Sequence, residues 1–349
     1  KANKNVARGS NALNTFNVTS DTDTYNTAVG HSAGGVMTTG TNNTFKGGLS
    51  GDANTTGGSN VAVGKSSFSD NTTGSNNTAI GDASLNANTT ASNNVAVGKN
   101  ALLVNTTGTQ NTAVGATALD ANTTANNNTA IGYNSLGANT TGYENTAIGA
   151  SALDANSTGI ANVAIGQGAL SDSTTSSNNT GVGHQALFNN TTGEQNNAFG
   201  GASLYTNTTG SYNTALGQGA MYYNTTGGNN VAVGDNTLFA NTEGQYNTAL
   251  GNKALDANTT ADNNTAVGYD ALTGNTTGDR NVAMGALARD ANTTAEGNTA
   301  IGYESLSANI SSELNTGIGF KALRLTTGAD NTGVGALALD ANTSGVQNV

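Results

Sequence analysis

A chain of 349 residues with no Pro, Cys or Trp, 48 Gly and only 9% charged residues is composed neither like an ordinary globular enzyme nor like a disordered linker. Its net charge of −11 rests on 22 acidic against 11 basic residues that never cluster, which argues against nucleic acid and anionic lipid as partners. Without Cys there is no disulfide or thiolate metal site, and no apolar run reaches membrane-spanning length.

The chain is a repeat from end to end. Aligned on Asn, units start at residues 26, 43, 60, 77 and 94 and every 17 residues onward to 315, then at 331 and 348 after one deletion; a longer first unit starts at Asn5. The consensus is N-[T/V]-A-[V/I]-G-x-x-[A/S]-L-x-A-N-T-T-G-x-x, numbered below as positions 1 to 17. So short a unit cannot hold a helix pair, and Gly and Asn bound each half of it. The expectation is an all-β parallel β-solenoid, or β-roll, of about 20 coils with 17 residues and two short strands per coil. At ~4.8 Å per coil it would extend about 95 Å.

Residues 1–59 read as irregular N-terminal coils, a cap, joint or interchain contact, because Arg8 and Lys46 stand at apolar position 4 and Gly34 and Gly51 replace Leu at position 9. Residues 60–349 read as the regular solenoid. In its first strand, position 4 is apolar (Val63, Ile80, Val97, Val114, Ile131) and is expected to point inward together with Thr or Val at position 2. In the second, Leu85, Leu102, Leu119 and Leu136 at position 9 form another inward column behind a small residue. Asn at position 1 is expected to stack as an amide ladder and Gly at position 5 to turn with positive φ. Like must lie above like, which is why the phrase repeats.

The only histidines, His31 and His184, both fall at position 6, nine coils or roughly 43 Å apart, so they cannot share a site. Asp recurs at position 10 (Asp120, Asp154, Asp256, Asp290, Asp340), but never in successive coils, too sparsely for a shared calcium ion. No phosphate-binding loop is present. These residues predict a protein that is not an enzyme, with no cofactor and no metal. Asn-Thr-Thr at positions 12 to 14, as at Asn71, Asn88, Asn105 and Asn122, matches the glycosylation sequon, though turn chemistry explains it without sugar and is the reading preferred. Position 10 is aromatic in four consecutive coils, Phe188, Tyr205, Tyr222 and Phe239, with Tyr223 adjacent. This predicted ring ladder is the candidate ligand or lateral contact.

The segment N-[T/V]-A-[V/I]-G followed by a small residue resembles the head repeats of trimeric autotransporter adhesins, and the form with A-L-x-A-N-T-T-G resembles repeats of bacterial surface and phage-like tail-fibre proteins. The resemblance covers about 330 residues. It implies a left-handed β-roll, usually trimeric, displayed outside the cell; the present unit is longer by an Asn-Thr-Thr insertion, and no anchor or chaperone domain is present. One coil buries only about two large side chains, so burial against other chains is expected. The chain starts at Lys1 without Met and stops inside a repeat at Val349, an open end that calls for a cover.

The function expected is that of a structural and adhesive extracellular or cell-surface fibre. It would self-associate as a homotrimer or head-to-tail filament and contact a host receptor or glycan. The alternatives are a tail-fibre shaft on a virion and an ice-binding solenoid; the latter is disfavoured because the Thr of positions 13 and 14 are adjacent and face opposite ways, and because position 2 interchanges with Val as a buried site would.

Overall fold

Only positions 2 to 4 of each coil are β-strand, and in them it is the small middle residue that points inward. The computed structural model describes residues 4–16 and 23–349, so residues 1–3 and 17–22 of the irregular N-terminal segment lie outside the described residues. It holds twenty three-residue strands and no helix among the described residues, a parallel β-solenoid of 17-residue coils. Two compact units divide it, Lys1–Ser176 and Ser177–Val349. The first carries the strands from Val6–Arg8 to Val163–Ile165, the second those from Thr180–Val182 to Thr332–Val334. Within each, neighbouring strands pair parallel and in register; Thr129, Ala130 and Ile131, for example, lie against Thr146, Ala147 and Ile148.

The expected second strand does not form. Residues at positions 7, 9 and 17 are left-handed, as at Asn134, Leu136 and Asn127 with φ of 54°, 50° and 60°, so this half of the coil is a succession of turns. Each still feeds the inter-coil bonding: Asn134 N donates to Ala116 O, Leu136 N to Ala152 O and Asn127 N to Thr109 O, at 3.0–3.1 Å. A left-handed Leu costs on the order of 1 kcal/mol and is held here by full burial and by that bond.

The inward columns also differ from the expectation at positions 2 and 4. Ala at position 3 is fully buried, as at Ala113, Ala130 and Ala147, while Ile131 is 38% and Ile148 36% exposed. The interior is Ala at position 3, Ala or Ser at position 8 and Leu at position 9. Position 3 faces the position-9 Leu, so closely that a Cβ on Gly333 would lie 3.0 Å from Leu323 and one on Gly317 3.3 Å from Leu306, and a larger residue fits there only where that Leu is missing. Arg8 and Lys46 at position 4 are therefore exposed and need no special account.

Gly34 and Gly51 are compensated rather than defective. Phe45 takes the place of Ala at position 3 and is fully buried. A Cβ on Gly51 would lie 2.7 Å from the Phe45 ring, and one on Gly34 3.1 Å from it. The ring fills the volume that two Leu side chains would occupy, a swap that keeps the core filled.

Asparagine closes the coil. At position 1, Asn128 Oδ1 accepts the backbone N–H of Asn145 at 3.0 Å and Asn128 Nδ2 donates to Gly142 O at 2.9 Å. At position 12, Asn139 Nδ2 donates to the same Gly142 O at 2.9 Å and to Asn122 Oδ1 of the preceding coil at 3.1 Å. Both Asn side chains are fully buried. Thr at position 13 adds a third column, with Thr140 Oγ1 donating to Ser157 O at 3.0 Å. At position 5, Gly132 has φ of 140°, and a Cβ there would sit 2.4 Å from Gly149 O of the next coil.

This packing predicts a contrast measurable by thermal or denaturant unfolding. Leu136→Ala should cost about 2–5 kcal/mol, and Gly132→Ala should prevent native coil stacking at that level. Ile131→Ser should change the stability of the isolated chain by less than about 1 kcal/mol.

Candidate functional site

Position 10 follows directly on the buried Leu, which aims its side chain along the flank of the coil, so like rings in successive coils lie over one another. Phe188, Tyr205, Tyr222 and Phe239 form a continuous stack in the second unit, with centroid separations of 5.3, 5.0 and 5.4 Å and interplanar angles of 9°, 12° and 28°. Tyr223, at position 11, meets Tyr222 and Phe239 edge-on at 4.7 and 5.1 Å. The ladder rings are half-buried and Tyr223 is 48% exposed. Stacking covers both faces of Tyr205 and Tyr222, so what the ladder presents to a partner is ring edges together with Tyr223. A sugar ring binds by lying on an aromatic face, and these two rings have none free.

A second and longer surface feature is the outward position-4 column. In the first unit it includes Ile80, Val114, Ile131, Ile148 and Ile165, and in the second Phe199, Leu216, Leu250, Met284 and Ile318, all between 36% and 48% exposed. Position 2, mostly Thr, lies on the same face and is half-buried. One of the two grounds for setting ice binding aside, that position 2 points inward, thus does not hold. Like residues at ~4.8 Å spacing make this an apolar stripe in each unit, of the kind that marks interaction surfaces.

The other sequence candidates do not converge. His31 Nδ1 lies 2.8 Å from Ser10 Oγ and His31 Nε2 3.4 Å from Ser32 Oγ, with no carboxylate bonded to the ring. His184 belongs to the other unit. Among the position-10 carboxylates, Asp154 accepts from Ser171 Oγ at 2.7 Å and Asp340 pairs with Arg324 Nε at 2.9 Å. Burial pushes the carboxyls of Asp120, Asp256 and Asp290 above the usual carboxylate range. Among the described residues, no group of three or more His, Cys, Asp and Glu is placed to hold a metal ion, and no helix is long and apolar enough to cross a membrane. Asn71, Asn88, Asn105 and Asn122 of the sequons are fully buried with Nδ2 engaged, as in Asn88 to Asn71 Oδ1 at 2.8 Å and Ala91 O at 3.1 Å. A sugar on such a nitrogen is incompatible with the folded coil.

Arg289 was not anticipated. It is the one charged residue at position 9, a signal legible in the column, and it is fully buried without an ionic partner. Its Nη2 donates to Asn292 Oδ1 at 2.6 Å and Ala295 O at 3.3 Å, while Nε and Nη1 find no partner. By occupying Asn292 Oδ1 it displaces the next Asn of the position-12 ladder, and Asn309 Nδ2 is left without a partner. Burial lowers the guanidinium pKa to about 9.

The lowered pKa means that above about pH 9 the unfolded chain binds more protons than the folded one, so the penalty applies fully below pH 9 and is relieved as pH rises. Arg289→Leu, the consensus residue, is therefore expected to raise the melting temperature at pH 7, with a smaller gain at pH above 9. For the ladder, replacing Tyr205 and Tyr222 together by Ser should lower the melting temperature measured by calorimetry.

No family model matches the chain, and no curated protein matches it.

Proposed function

We propose that the chain is the shaft of an adhesive surface fibre, a β-roll of the trimeric autotransporter head type, that buries its position-4 face against further copies of itself. The observation that carries this reading is the exposed aliphatic column at position 4 in both units. A thin coil whose interior is Ala, Ser and one Leu leaves its largest β-branched residues outside, and covering them supplies apolar burial that the single chain forgoes. The resemblance of N-[T/V]-A-[V/I]-G to adhesin head repeats supports the same arrangement, with the left-handed coil, trimeric state and extracellular display that go with it. No reaction is assigned, and no cofactor or nucleic acid takes part. In this reading the aromatic ladder stiffens the coils that carry it, and adhesion uses other side chains.

Sedimentation of the full chain tests it. The native protein should sediment as an oligomer, and Ile131→Lys with Ile148→Lys should sediment as a monomer with a nearly native circular-dichroism spectrum. A native chain that stays monomeric at high concentration overturns the proposal.

Ice binding stands second, because Thr at position 2 and the position-4 residue share one outward, in-register face. Phe199, Leu216, Leu250 and Met284 break the uniformity that a flat ice-matching surface needs. Thermal hysteresis by the native chain would favour it over the fibre.

A further inference from the structure

We infer that the second unit carries a binding site for a neutral saccharide between positions 17 and 2 of successive coils, lined by Asn178, Gln195, Asn197, Tyr212 and Thr214. This deepens the adhesive reading, on which it rests, by naming the ligand class. The five side chains border an open cavity of about 590 Å³, within the roughly 300–1,000 Å³ range of small-molecule sites.

The lining chemistry selects the ligand. Three carboxamides, a phenol and a hydroxyl each donate and accept hydrogen bonds, as sugar hydroxyls do, and none carries a charge at neutral pH. An ion would find no countercharge there, and an apolar ligand no dry wall. Tyr212 is 55% exposed and belongs to no ring stack, so it offers an aromatic surface that the position-10 ladder does not. Its hydroxyl lies 3.5 Å from Gln195 Nε2.

Local backbone geometry explains why the side chains converge. Asn178, Gln195 and Tyr212 are successive position-17 residues with φ of 61°, 55° and 62°, so they leave the backbone in one direction at ~4.8 Å intervals. Asn197 is the only Asn at position 2 in the sequence, where every other coil has Thr or Val. Its backbone N donates to Asn213 O at 2.8 Å, the same bond that Thr214 makes to Asn230 O, so the departure from consensus changes the surface and leaves the ladder intact. The fold does not require a carboxamide there.

The site takes in position 2, on the same outward face as the position-4 column, and extends from there to the position-17 side chains Asn178, Gln195 and Tyr212, which lie outside the strand. The test uses the full chain, labelled on Asn and Gln side chains, titrated with neutral oligosaccharides of glucose, mannose, galactose and N-acetylglucosamine. A sialylated and a sulfated oligosaccharide serve as anionic comparators. At millimolar concentration at least one neutral sugar should shift the carboxamide signals of Asn178, Gln195 and Asn197. Asn197→Thr restores the consensus, and Tyr212→Ala introduces the residue that Ala161 supplies at position 17; each should weaken binding by about tenfold or more with melting unchanged. No shift with any neutral sugar, shifts with the anionic sugars alone, or full binding by both variants would overturn the inference. Sedimentation of the same variants separates the two proposals: lost sugar binding in an intact oligomer concerns this site, and a native chain that is monomeric yet binds sugar fails the fibre reading alone.

Discussion

A regular coil depends on one carbonyl, that of position 15, which receives the amides of two buried asparagines. Gly142 O accepts from Asn128 Nδ2 and from Asn139 Nδ2, tying the start of the coil and its far corner to one point. Each asparagine is in turn bonded to an adjacent coil, so the clamp is closed within a coil and chained between coils. A buried carboxamide left unpaired costs about 1–3 kcal/mol, and a coil that slipped register would orphan several at once. Register is thus set by polar groups in a chain too poor in large apolar side chains to set it by packing.

The same clamp makes the coil thin, and thinness decides which residues go inside. With the corners drawn together, the middle residue of the strand faces the opposite wall at a distance that admits Ala, as at Ala130, and the Val, Ile or Thr on either side must point out. Hydrophobic residues on the surface are here a geometric consequence of a polar interior. It follows that the exposed apolar stripe and the stability of the single chain are carried by different columns.

Much of this was legible in the sequence and some was not, for identifiable reasons. The 17-residue period, the all-β parallel stack, the Leu column, the Asn column at position 1 and the glycine turn all follow from like lying above like. The orientation of position 4 did not, because a β-branched residue flanked by small ones reads as core unless the width of the coil is known. The second strand was misread because Leu136 and its equivalents adopt a left-handed conformation that their residue type disfavours. Position 12 looked like a turn residue or a sequon, since nothing local distinguishes an exposed Asn from one whose partner is 17 residues away. The aromatic ladder was legible as a stack; the cavity at Asn197 and Tyr212 was not, because its lining comes from four coils and two columns.

The ladder also has defects, and they fall where the repeat breaks. Ser173 replaces the position-12 Asn near the end of the first unit, and Asn156 Oδ1 there lacks a partner. Arg289 interrupts the column in the second unit, and the shortened coil after Asn315 carries Thr326 in the Asn place, bonded to Asn342 O at 3.1 Å. Such points are where local opening should begin. The most direct measurement of the clamp is hydrogen exchange of the side-chain amides in asparagine-labelled protein. Asn128 and Asn139 should exchange as slowly as core backbone amides while exposed Asn127 exchanges freely; equal rates at all three would contradict the account.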